Sequence, residues 1–351
     1  MSFSAATVNP QIDLSMNRML LLNASCQAVI EADIAQVASP WYQQLDQELG
    51  AAEELVIGWR RSGVMYFQSA ILNAIGSFGD SFLSAQPTIE TLFSRLEQDF
   101  TPAGKTALVA QLQALVPPLQ TLTSQTDAYA RRLKAFQVAM ATPHGNMETT
   151  IAEVQAQEVN IEGEIAGINA QIASLTAQIN TDRDIIAKAE KSRTGGILET
   201  IFGVLFAPVT GGLSLILAGI GVASIAEAQS KVNAMQSEVA GYQQTIAGDQ
   251  STLGNDQRIV ATLGALTMST GLVISDLDSI DSALDALRTS WDVFGGELAG
   301  EIDKLGLAAD AAQVVVMHAW YESACAQWTL IAANAASLGN PAIATQVVSI
   351  G

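Results

Sequence analysis

The sequence predicts an all-α protein, an elongated bundle of about five long helices carrying a hydrophobic helical-hairpin head. Three observations point there. Prolines leave two long free runs, one between Pro143 and Pro208 and one between Pro208 and Pro341. Apolar residues recur at heptad spacing through both runs, which is the signature of helices packed along a seam. Between the seams, residues 200–226, TIFGVLFAPVTGGLSLILAGIGVASIA, are 27 consecutive positions without a charge, in a chain whose net charge is −19.

The elements follow in order. A first helix is expected over about Pro10–Ala38, where Met16, Met19, Leu20, Asn23, Ile30, Ile34 and Val37 approximate one face. Further helices are expected over Trp41–Phe82 and Thr88–Asp99. Thr101 before Pro102 reads as an N-cap followed by a first-turn proline. The helix from Pro102 runs on through Leu108, Leu112, Leu119, Tyr129, Leu133 and Phe136, with a kink expected at Pro117–Pro118 and closure at Thr142–Gly145. The next helix is the clearest. Ile151, Glu158, Ile165, Ile172, Ile179 and Ile186 hold one heptad position, and Val154, Ile161, Ile168, Leu175, Asp182 and Ala189 another. After the uncharged segment the pattern resumes with Val232, Val239, Ile246, Leu253, Val260, Thr267 and Ile274 against Met235, Tyr242, Asp249, Asp256, Leu263, Thr270 and Leu277. If straight, helices over 147–193 and 227–292 are roughly 70 Å and roughly 100 Å long. Gly295–Gly296 is expected to end the second. A last helical region, Glu297–Leu338, carries Trp320, Tyr321 and Trp328 as core, and the tail after Pro341 is expected to be loose.

The uncharged segment reads as two short helical arms, Ile197–Ala207 and Leu213–Ala226, joined at Pro208–Gly212. Proline and paired glycines bend or break a helix. The arms are about 16 Å and about 21 Å long, short of a hydrocarbon core of about 30 Å. Both are apolar all round, so they require burial in protein or in lipid. The division expected is a body, 1–193 with 227–351, and a head, 194–226. The residues expected to enter lipid are Ile197, Leu198, Ile201, Phe202, Val204, Leu205, Phe206, Leu213, Leu215, Ile216, Leu217, Ile220, Val222 and Ile225. Gly195, Gly196, Pro208, Gly211 and Gly212 are the expected hinge and turn positions.

Composition excludes several functions. The negative balance argues against nucleic acid, whose phosphates need basic patches, and against simple electrostatic capture by anionic lipid. Cys26 and Cys325 form no CxxC or zinc pattern; they are either two buried thiols or one bridge between the terminal helices, which spacing alone does not establish. The N-terminus lacks the basic region and apolar core of a cleaved signal. Ala103–Gly104–Lys105–Thr106 ends like a phosphate-binding loop, but Asp99 stands where such a loop needs its first glycine, and no strand precedes it. His144 and His318 have no metal or catalytic spacing around them. The sequence therefore reads as non-enzymatic, with no catalytic residue, cofactor or metal set.

The Ile-heptad helix Ile151–Ala189, the apolar head Ile197–Ala226 and the returning helix Val232–Trp291 together resemble the cytolysin A superfamily of α-helical pore-forming toxins, which includes tripartite haemolysins and enterotoxins. The resemblance covers nearly the whole chain, in architecture rather than in a short motif. It implies a secreted protein whose head folds against a five-helix body, then swings out and inserts into a target-cell membrane. It also implies self-oligomerisation on that membrane and assembly with other toxin components. Both arms here are apolar, where a pore-lining member would carry one amphipathic arm; that places the chain nearer a lipid-anchoring component. The alternative is a non-enzymatic coiled-coil scaffold or signalling protein with a buried or membrane-anchored hairpin.

Overall fold

The structure, a computed structural model, describes residues 3–30, 32, 40–62, 67–157, 200–209, 212–221, 255–338 and 345–350, with positions 170, 177 and 181 besides. Its helices are α1 (Ala5–Ile30), α2 (Pro40–Arg60), a π-helical turn (Phe67–Leu72) leading into α3 (Asn73–Ser84), α4 (Gln86–Gln98), α5 (Pro102–Gln113), α6 (Val116–Gln157), α7 (Asn255–Leu307) and α8 (Ala311–Leu338). Five of them exceed 20 residues: α1 has 26, α2 has 21, α6 has 42, α7 has 53 and α8 has 28. The helical-bundle class and its roughly five long helices are as expected. Three strands are also present: β1 (Thr200–Val209), β2 (Gly212–Gly221) and β3 (Thr345–Ile350).

Several helix boundaries differ from the expected ones, each for a local reason. The N-terminal turn of α1 starts upstream of Pro10 because side chains from elsewhere hold it: Phe3 N–H donates to Glu297 (2.9 Å) and Ala5 N–H to Gln327 (2.7 Å). Pro117 and Pro118 do not kink a continuous helix. They sit in the first turn of α6, where their missing N–H groups have no intrahelical partner to lose. Pro143 does not close a helix either; α6 runs through it, because the apolar stripe of Met140, Met147, Ile151 and Val154 stays buried on both sides. Gly295 and Gly296 lie inside α7 for the same reason, with Leu298, Ile302 and Leu305 buried beyond them. That burial outweighs the helix penalty of about 1 kcal/mol per glycine.

The chain divides into two compact units. The first comprises 1–16, 65–132 and 281–341. Its core is aromatic and centred on Trp328, which is fully buried. The rings of Phe78 (4.5 Å), Phe3 (5.3 Å), Phe294 (5.3 Å) and Trp291 (5.8 Å) surround it. Such rings bury 150–250 Å² each, so this cluster dominates the unit's hydrophobic stabilisation. Helix α3 lies against α8 so closely that a Cβ on Gly79 would sit 2.8 Å from the Cβ of Ala332. Thr101 caps α5 as expected, its hydroxyl accepting from Gly104 N–H at 3.2 Å. Lys105 donates to the carbonyls of Gly306 (3.0 Å) and Ala308 (3.1 Å). It supplies positive charge and donors where α7 leaves carbonyls unpaired.

The second unit comprises 17–64, 133–280 and 342–351. Among its described helical residues, Leu22, Val29, Leu45, Val56, Leu133, Met140, Val273 and Leu277 form the core, and Trp59 stacks on Phe136 at 4.8 Å with rings nearly parallel. A polar seam runs through this core. Ser25 donates to Asp276 at 2.5 Å, both buried, and Arg60 Nε donates to Asn23 at 3.1 Å. Thr150 accepts from Gln44 (2.9 Å) and donates to Glu48 (3.0 Å). The same unit holds the small sheet.

Candidate membrane-inserting head

The uncharged segment is not a pair of helical arms. Thr200–Val209 and Gly212–Gly221 are antiparallel strands with every position paired, from Thr200↔Gly221 through Ile201↔Ile220, Val204↔Leu217, Leu205↔Ile216, Phe206↔Leu215 and Pro208↔Leu213 to Val209↔Gly212. The reasons are local and tertiary. Ile201, Phe202, Val204, Phe206 and Val209 are β-branched or aromatic and favour the extended backbone. Gly203, Pro208, Gly219 and Gly221 each weigh against a helix, by about 1 kcal/mol per glycine and about 3 for proline. Helices shorter than about 12 residues are marginal in water in any case.

The tertiary reason is β3. Thr345–Ile350, expected as part of a loose tail, pairs antiparallel with β2, from Leu215↔Ile350 to Ile220↔Thr345. The strand order is β1-β2-β3, so β2 is central. A two-stranded hairpin is marginal alone, and a third strand supplies what it lacks. Pro208 lies on β1, an outer strand, where a missing donor interrupts no second ladder.

Of the residues expected to enter lipid, the sheet contains Ile201, Phe202, Val204, Leu205 and Phe206 on β1, and Leu213, Leu215, Ile216, Leu217 and Ile220 on β2. Ile197, Leu198, Val222 and Ile225 lie outside the described residues, as do Gly195, Gly196 and Gly211. Pro208 is the ninth residue of β1, paired with Leu213, and Gly212 opens β2, paired with Val209. The sequence reading missed Thr345–Ile350. Its signal was TQVVSI, rich in β-branched residues just after Pro341.

As strands of 10 residues, the arms are each roughly 34 Å long, twice the reach of helices of the same length. They still cannot enter a bilayer as they stand. An open sheet exposes unpaired N–H and C=O groups along its outer strands, and hydrocarbon offers them no partner. The strands also lack the apolar–polar alternation by which a membrane barrel lines its lumen. Among the described residues, no helix is long and apolar enough to cross a membrane.

The remaining candidates have structural places. Cys26 and Cys325 are both free and buried, so the bridge considered from sequence is not formed. They belong to different units, Cys26 beside the Ser25–Asp276 seam and Cys325 in the aromatic unit. Burial, reinforced by the Asp276 charge, raises the Cys26 thiol far above its ordinary value; burial pushes Cys325 up to about 11, against a lowering by the neighbouring Tyr321 hydroxyl. Such thiols are poor nucleophiles. His318 stacks on Phe93 at 4.7 Å with Nδ1 2.7 Å from Glu97, and His144 Nδ1 is 2.7 Å from the Thr270 hydroxyl. Among the described residues, no three His, Cys, Asp or Glu side chains converge to hold a metal. A groove of about 440 Å³ beside Trp320 contains Glu297 and Glu301. The first accepts from Phe3 N–H and the second pairs with Lys304 at 2.6 Å, so both are already engaged.

No protein-family model matches the chain, and no curated protein matches it. Solved structures do. The chain is similar to soluble SmhA of the tripartite α-pore-forming toxin Smh of Serratia marcescens, at 16% identity and a TM-score of 0.69 over 96% of this chain and 94% of that one. It is similar to soluble AhlB of the tripartite α-pore-forming toxin AHL of Aeromonas hydrophila, at 13% identity and a TM-score of 0.67 over 95% and 93%. A Bacillus cereus toxin component, HblL1, matches at 12% identity and a TM-score of 0.64 over 98% and 99%. At these identities the likeness is one of fold, and it is the fold the sequence resemblance implied.

Proposed function

We propose that this chain is a non-enzymatic component of a secreted, multi-part α-pore-forming toxin, and that residues 197–226 are its membrane anchor. One observation carries the reading: an uncharged apolar hairpin is built into a bundle whose fold is that of tripartite toxin components. In water the segment is held as sheet. In hydrocarbon a helix satisfies every backbone group within its own segment, which an open sheet does not. Insertion therefore converts the strands into the two short helical arms, Ile197–Ala207 and Leu213–Ala226. The arms anchor in one leaflet, and the bodies assemble with one another and with partner components on the target-cell membrane.

The test is vesicle flotation and erythrocyte lysis with Leu205→Asp and Leu217→Asp. An aspartate at the centre of a membrane helix costs about 3 kcal/mol, which is more than a hundredfold in partitioning. Loss of binding with the helical content of the body unchanged is the expected result. Full binding by both variants would remove the head as anchor and leave the scaffold reading in its place.

A further inference from the structure

We propose that β3 is a latch: Thr345–Ile350 holds the hairpin in its water-stable form, and its departure from β2 is the step that frees residues 200–221 to enter lipid. The inference rests on the anchoring role proposed above and adds the element that controls it. Three observations carry it. First, β2 is the central strand, so Leu215–Ile220 are paired on both sides, to β1 and to β3. A helix cannot begin in that stretch while its backbone groups are committed to two neighbours, whereas β1 can leave only one partner unpaired. Second, the sheet is compositionally split. The strands β1 and β2 contain Thr200 and Ser214 as their only hydroxyl residues and no charge; β3 has Thr345, Gln346 and Ser349 among its six positions. Of the three strands, β3 is the one that water accepts at least cost, and the two-strand remainder is the part that lipid accepts. Third, β1 and β2 are consecutive in the chain and form one hairpin, while β3 follows α8 and reaches the sheet from a separate part of the sequence. Losing β3 leaves a two-stranded hairpin, the marginal species.

The experiment places a reversible bond across the latch. Leu217 and Val348 are directly opposed, and opposed residues of an antiparallel pair lie about 4.5–5.5 Å apart, within disulfide reach. The full chain carrying Leu217→Cys and Val348→Cys is oxidised, then divided, and half is reduced. Each half is floated with phosphatidylcholine–cholesterol vesicles. The oxidised half is expected to bind at least tenfold less than the reduced half of the same preparation. Equal binding overturns the latch. A second measurement needs no lipid. Prolines at two adjacent positions, Val347→Pro with Val348→Pro, remove a ladder donor from β3 whichever of the two faces β2, because donors alternate along an edge strand. Amide exchange over 213–220 is expected to speed at least tenfold, with α8 amides unchanged. Unchanged protection of 213–220 in that variant overturns the latch. If neither half of the first preparation binds vesicles, the anchoring role falls, and the exchange result alone decides whether β3 restrains the hairpin.

Discussion

Two thiols and one hydroxyl show how burial sets behaviour residue by residue. Burial raises the affinity of both Cys26 and Cys325 for their protons, so the folded chain keeps protons that the unfolded chain releases above the ordinary thiol value of 9.0. The linkage then has a definite sign: the thiols leave stability untouched below about pH 9 and lower it as pH rises beyond that. Thiol-specific reagent at pH 8 is expected to label both cysteines only at the rate of unfolding, with two equivalents titrating in denaturant. Rapid labelling of the native protein, or a melting temperature that falls on adding reductant, would contradict the buried free thiols. Ser25 gives the second expectation. It donates to the buried Asp276, and removing a donor from a buried charged acceptor costs about 1–3 kcal/mol. Ser25→Ala should lower the denaturant midpoint accordingly, and a shift within error would show that water or a neighbour replaces the bond.

Elements are where the sequence was most legible and also where it misled. The apolar stripes of α6 and α7 were legible within their described parts, at Ile151 and Val154 and again at Leu272, Val273 and Leu277, because a buried stripe repeats at the helical period however the ends are made. The heptad stretches over 158–189 and 232–254 lie outside the described residues apart from single positions. Helix ends were read poorly, because Pro143 and Gly295–Gly296 are local stop signals overridden by continuing burial at Met147, Ile151, Leu298 and Ile302. The uncharged segment was located to within a few residues, but its conformation was not. Leu, Ile and Ala favour a helix in lipid, while the glycines, Val204 and Val209 favour a strand in water. The deciding partner, Thr345–Ile350, lies more than 120 residues away in sequence. A pairing at that distance leaves no periodicity near the hairpin to reveal it. The contact of α3 with α8 yields a paired prediction within one helix. Gly76 has open space around its Cβ position, whereas that of Gly79 meets Ala332 at 2.8 Å, against an atom fixed to the backbone. Gly76→Ala should stabilise by about 0.5–1 kcal/mol through helix propensity. Gly79→Ala should destabilise by about 1–3 kcal/mol, because the helices must separate. Thermal melts of the two variants moving in the same direction would argue against the close approach.

For the molecule as a whole, the expectation is binding without conduction. Neither arm of the head has a polar face, so a ring of such heads would present Leu, Ile, Val and Phe to the lumen and offer no hydrogen bonds to permeant water or ions. As helices, the arms also fall about 10–15 Å short of the hydrocarbon thickness. Planar bilayers exposed to this protein alone should show no stable unitary conductance, and lysis should appear on adding a partner with an amphipathic head. Ion-selective single channels from the purified chain would refute this. The aromatic cluster around Trp328 has an optical consequence for all such work. Every tryptophan of the chain, Trp41, Trp59, Trp291, Trp320 and Trp328, lies outside residues 197–226. Native tryptophan emission therefore arises from indoles outside the hairpin. One indole introduced as Phe206→Trp would give the hairpin its own colour: a blue shift on adding vesicles would come from that site alone, against a native background that stays constant while the helical units keep their packing.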